Sequence, residues 1–196
     1  MSVAALGFKP RTGRAVLVVL AMDKEPRVIE RAEVPLLPRG EMAPYHAAEG
    51  LESKAADRHV KAAIETARML ARAAVKEAVK RCAGAGHEIV GCGVLVGTGM
   101  PDWTTYEILA VHVRMHKAEG EMFRDILVEA ARECGFEPVT LPDKTAIDAA
   151  AKKLGLTRAQ MDARLATLGK AAGPPWARYQ KEAAAAALVA LGGKRK

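Results

Sequence analysis

His112, His116 and Glu119 stand at i, i+4 and i+7 in a stretch whose apolar residues recur with helical period. On a helix all three share one face. Two imidazoles and a carboxylate that approach one point are the donors of a metal site or the parts of an acid/base pair. The same spacing suits core residues bonded to backbone or to one another, because an unpaired buried polar group costs about 1–3 kcal/mol. Ile108, Leu109, Met115, Met122, Phe123, Ile126, Leu127 and Ala130 fall on that face too. The trio is therefore expected to be shielded from solvent. Glu107, Arg114, Lys117, Glu121, Asp125 and Arg132 are expected on the opposite, solvated side.

Other residues offer weaker signals. His46 and Glu49 could join such a site, or point to water from an ordinary helix start. Lys9, Arg11 and Arg14 flank one turn and suit either phosphate contacts or a solvated turn. Gly97-Thr98-Gly99 ahead of a helix could cradle a phosphate or simply link strand to helix. Trp176 and Tyr179 could stack on bases or cover the edge of the core. No Ser/His/Asp order, Walker motif or GxGxxG is legible, and no metal motif of paired cysteines is present.

The frame that must position these residues is globular. With 196 residues, half of them hydrophobic and 27% charged, the chain suits one packed domain and excludes disorder as its default state. Its longest apolar runs, residues 15–22 and 183–191, fall far short of the roughly 18–20 needed to span a bilayer, so no membrane partner is expected. The first is followed by Asp23-Lys24-Glu25, a poor cleavage site for a secretion signal. Three widely spaced cysteines form no disulfide framework, which points to a reducing cytoplasm. A net charge of +7 favours an anionic partner without naming it.

Periodicity gives the elements. Residues 3–8, 15–20 and 27–36 read as strands, joined by turns at 9–13 and 23–26. Residues 57–82 carry an apolar face of Val60, Ile64, Ala67, Ala71, Val75 and Ala78, ended by Gly84 and Gly86. A strand over 88–96 precedes one long helix over 103–134, with Thr104 and Glu107 at capping-box spacing. Residues 136–141 form a last strand, and helices follow. The expected domain spans residues 1–192, with 193–196 as a basic tail. It is an α/β fold with one mixed five-stranded sheet, its first three strands antiparallel, flanked by helices.

In this order of elements Ala5-Leu6-Gly7-Phe8-Lys9-Pro10-Arg11-Thr12-Gly13 resembles the opening strand and turn of RuvC-type Holliday-junction resolvases, members of the RNase H-like superfamily. The stretch from Ala118 to Arg124, the strand entry Cys134-Gly135-Phe136 and the alanine-rich segment from Gln180 extend the resemblance over most of the chain. It implies a single RNase H-like domain. It also implies four acidic metal ligands, and here the chain departs from the pattern. Lys9 stands at the first-strand Asp position, the fourth strand has no acid, and of the late pair only Glu182 remains, with Ala185 three residues on.

Holding two ions about 4 Å apart takes several oxygen ligands, so the family's reaction does not carry over. The expected function is a catalytically degenerate binding or scaffolding module with nucleic acid as its partner, held by Lys9, Arg11 and Arg14, without a cofactor. One alternative is a rebuilt hydrolase or nuclease using Glu119, His116, Glu182, His46 and Glu49, which alone would call for a divalent metal. Another is a homo-oligomeric structural protein, a homodimer at its simplest.

Overall fold

The computed structural model describes residues 1–192, and the basic tail at 193–196 lies outside the described residues. Three strands open the chain: β1 (Ser2–Arg11), β2 (Arg14–Met22) and β3 (Pro26–Pro35). They pair antiparallel in sequence. β4 (His87–Val96) and β5 (Val139–Pro142) add parallel strands on the other side, giving the order β3-β2-β1-β4-β5. The five-stranded mixed sheet expected from the sequence is the one observed. Its logic is chain length: turns of two and three residues permit only antiparallel pairing, while the later strands are separated by helices long enough for parallel crossovers.

The first turn is tighter than expected. β1 runs on through Pro10 to Arg11, and only Thr12 and Gly13 turn the chain, with Gly13 at φ 71°. Pairing of β1 to β4 stops at Phe8. Pro10 thus sits where one side of the strand needs no ladder donor, a place where proline is tolerated.

Alternation along β1 divides the core. Ala4, Leu6 and Phe8 face a layer made by α2 (Ser53–Gly84) and α4 (His112–Glu133). Ala5, Gly7 and Lys9 lie on the other face, which is covered by α7 (Arg178–Gly192) together with α5 (Ala146–Lys153) and α6 (Arg158–Ala172). The alanine run of α7 has a packing cause. A Cβ on Gly7 would stand 2.0 Å from the Ala183 carbonyl oxygen, and one on Gly93 2.4 Å from that of Ala186. Glycine on the strands and alanine on the helix let the two backbones approach. Arg31 of β3 anchors the entry to α7 by donating to the carbonyls of Ala172, Gly173 and Pro175 at 3.0, 2.8 and 2.5 Å. The carbonyls of Ala172 and Gly173 are acceptors left open at the end of α6.

The long helix expected over 103–134 is two helices. α3 (Thr105–Leu109) is capped by Thr104 and Glu107 as expected, but the chain turns at Ala110 and Val111 before α4 begins. The short α1 (Pro44–Ala47) packs against the start of α4. Gly97 to Thr104 form an extended loop, so Gly97-Thr98-Gly99 does not abut a helix N-terminus and builds no phosphate cradle.

Candidate functional site

The end of β1 brings Lys9 under α7. There the buried Lys9 ammonium pairs with Asp143, at the start of the short 3-10 turn after β5, and lies 3.4 Å from Glu182 Oε2. Arg124 of α4 donates to the other Asp143 oxygen at 2.9 Å and stands 3.6 Å from Glu121. Arg178 donates to Glu182 at 2.6 Å. Three cations therefore meet three carboxylates. Burial pushes the Asp143 carboxyl up, but the Lys9 ammonium and the Arg124 guanidinium together outweigh it and hold the group below the usual carboxylate range.

This network has the charge pattern of a closed ion-pair cluster. A divalent cation needs several unneutralised oxygens, and here Lys9, Arg124 and Arg178 occupy the approaches to those oxygens. Lys9, which the sequence offered for phosphate contacts, is instead committed to carboxylates. The partners are Asp143 and Glu182. Asp143 had no motif to mark it: it lies just beyond a four-residue strand, and only the sheet order brings it to Lys9.

Above the network lies a cleft of about 310 Å³ whose lining includes Lys9, Arg11, His116, Lys117, Arg124 and Tyr179. The Arg11 guanidinium stacks 4.2 Å from the Tyr179 ring centre. Lys9 and Arg124 are committed to carboxylates. Among the described residues, Arg11 and Lys117 have no acidic partner within ion-pair distance. Arg14 is elsewhere: its guanidinium lies 2.5 Å from Glu33, and it lines a different cleft with Met42. The expected set Lys9, Arg11 and Arg14 thus divides, and Lys117 is the cation that sequence reading placed on a plain solvated face. Trp176 covers the core, donating to the Leu165 carbonyl at 2.9 Å, while Tyr179 lines the cleft.

The histidine trio on α4 is corrected in part. Glu119 is buried at 2% exposure, as expected, but His112 and His116 are both exposed. Their helical angle does point inward. Burial also requires something opposite, and what faces the first turns of α4 is the four-residue α1. That helix supplies His46, whose ring lies 5.1 and 4.5 Å from those of His112 and His116. Glu119 Oε1 accepts from the His46 ring at Nδ1 (2.9 Å) and from its backbone N–H (3.3 Å). Its partner is therefore His46, from outside the trio.

Glu121 also departs from expectation. It is buried, because Gly97 leaves the space that its carboxylate fills: a Cβ on Gly97 would stand 2.1 Å from Glu121 Oε1. Of the five residues named for a rebuilt site, His46, His116 and Glu119 meet. Glu182 is tied into the Lys9 network, and Glu49 is exposed.

No protein-family model matches the chain, and no curated protein does. Among solved structures, Thermus thermophilus RuvC is similar, with a TM-score of 0.52 and 11% identity over 95% of this chain and 92% of that one. The T. thermophilus RuvC solved in complex with a Holliday junction substrate gives a TM-score of 0.53 at 13% identity over the same shares. At such identities the likeness is one of fold: the chain is a single α/β domain of RuvC-like, RNase H-like architecture.

Proposed function

We propose that this protein is a catalytically degenerate RNase H-like module that binds the phosphate backbone of nucleic acid without cutting it. One observation carries the reading. Lys9 closes the carboxylate cluster from within, and the adjoining cleft keeps two cations, Arg11 and Lys117, free for phosphate beside the Tyr179 ring. The net charge of +7 and the structural neighbour bound to a Holliday junction support the same partner class. Binding through phosphates is sequence-tolerant, steeply salt-dependent and indifferent to Mg²⁺ as a catalyst.

The test is fluorescence anisotropy with duplex and four-way-junction DNA over a salt series, next to a cleavage assay with Mg²⁺ and Mn²⁺. Arg11→Gln/Lys117→Gln should lower the log–log salt slope by roughly two units, near 0.9 for each phosphate no longer neutralised. An unchanged slope would remove the cleft as the contact surface. Metal-dependent cutting abolished by Glu182→Gln would overturn the degenerate reading. It would favour the second one, a rebuilt hydrolytic site, for which the meeting of His46, His116 and Glu119 is the supporting observation.

A further inference from the structure

His46, His112, His116 and Glu119 are used by neither the ion-pair network nor the phosphate reading. We propose that His46, His112 and His116 form a three-imidazole site for a divalent transition-metal ion of the zinc class, with Glu119 as the residue that positions His46. The three donor atoms lie within 4.8 Å of one another. His112 Nε2 and His116 Nε2 are 3.2 Å apart. Tetrahedral zinc with Zn–N near 2.0–2.1 Å separates its ligands by about 3.3 Å, so this pair already stands at coordinating spacing. The i, i+4 placement on α4 fixes it there.

His46 has the orientation of a ligand. Glu119 Oε1 takes up its Nδ1 and its backbone N–H, which leaves the lone pair on Nε2. That nitrogen is buried and has no hydrogen-bond partner among the described residues. A carboxylate behind a ligating imidazole fixes the tautomer and raises its basicity. In a cluster built only for structure the buried Nε2 of His46 would meet a carbonyl or hydroxyl. Here two Nε2 atoms face each other and the third is free.

Charge points the same way. Among the described residues Glu119 pairs with His46 alone, and no Lys or Arg neutralises it. An ion one imidazole away supplies the missing positive charge. Nitrogen donors select zinc, nickel or copper over Mg²⁺ and Ca²⁺, so the site differs in kind from an all-carboxylate one. Three protein ligands leave a fourth position for water or an anionic oxygen, and His116 also lines the cationic cleft. The ion ties the short α1 to α4.

The experiment is isothermal titration of tag-free protein with Zn²⁺, with Co²⁺ visible spectra reporting a low-symmetry nitrogen site and Mg²⁺ as comparison. One Zn²⁺ per chain is expected, with no comparable Mg²⁺ binding. Glu119→Gln should weaken Zn²⁺ binding by about 10–100-fold, and His112→Ala/His116→Ala should weaken it more. Both rings are exposed, so the double variant should melt like the parent without metal. His59→Ala, outside the cluster on α2, should bind as the parent does. Failure to bind Zn²⁺, equal affinity for Mg²⁺, or undiminished Zn²⁺ affinity in the double variant would each overturn the site. The proposal does not rest on nucleic-acid binding. Salt-dependent DNA affinity in the double variant separates the two.

Discussion

Replacing Lys9 by methionine keeps most of the side-chain volume and removes the charge that joins Asp143 and Glu182. The side chains of Lys9, Asp143 and Glu182 are 7%, 18% and 6% exposed. Breaking a buried pair from one side costs about 3–5 kcal/mol, because the remaining charge loses its partner. Arg124 still holds Asp143 at 2.9 Å and Arg178 still holds Glu182 at 2.6 Å, so Lys9→Met belongs near the lower end, about 3 kcal/mol. For a chain of this size 1 kcal/mol moves the melting midpoint by about 2–4 °C, which gives a drop of about 6–12 °C at pH 7. The pH dependence supplies a second readout. Asp143 ionises below its ordinary value in the folded state, so its contribution is in place above about pH 4 and is lost as pH falls through the folded value. Protonation removes the orphaned charge in the variant, and the gap between the two proteins should narrow in acid. Paired melts by circular dichroism at pH 7 and pH 3 measure both. Midpoints within about 2 °C at pH 7, or a gap that stays constant into acid, would refute the ion-pair account.

Four further outcomes are expected. Lys9→Asp should melt below Lys9→Met, because it sets a third carboxylate against Asp143 and Glu182, and Mn²⁺ should recover part of the difference; a melt unaffected by Mn²⁺ would show that Arg124 and Arg178 still exclude the ion. Gly7→Ala should destabilise by about 3 kcal/mol or more, since its Cβ meets the α7 backbone, whereas Gly84→Ala, with open space around it, should stabilise by roughly 0.4–1 kcal/mol in urea titrations. Arg14→Gln should leave the salt slope of DNA binding unchanged, because Glu33 already engages that guanidinium. The Cys92 thiol is pushed up to about 12 by burial, so it should resist alkylation at pH 8 until the protein unfolds, while Cys134, also raised by burial but partly exposed, should label slowly and before it; early labelling of Cys92 in a peptide map would contradict that.

The sheet was legible in the sequence because local information suffices for it. Hairpin-length turns, β-branched runs and helical stretches between later strands leave few topologies, and five strands with the first three antiparallel follow from them, though not their full order. The buried face of α2 could be read from its period for the same reason. The site was legible only in type. Lys9, read as a turn residue, and Glu182 are singled out only by where they fall in the pattern of the family the chain resembles.

What they touch was decided by tertiary structure. Asp143 reaches Lys9 because β5 lies beyond β4, a pairing that no local pattern encodes. Angular reckoning on α4 gave directions correctly, yet direction does not determine burial. His112 and His116 point inward where only a short helix meets them, and Glu121 points outward where the loop at Gly97 covers it. His46, separated by 73 residues from Glu119, is brought to it by the packing of α1 on α4. Residue types and local periods belong to the sequence. The partners of each charge depend on long-range packing, because burial and pairing are properties of what lies opposite a side chain and not of the side chain itself.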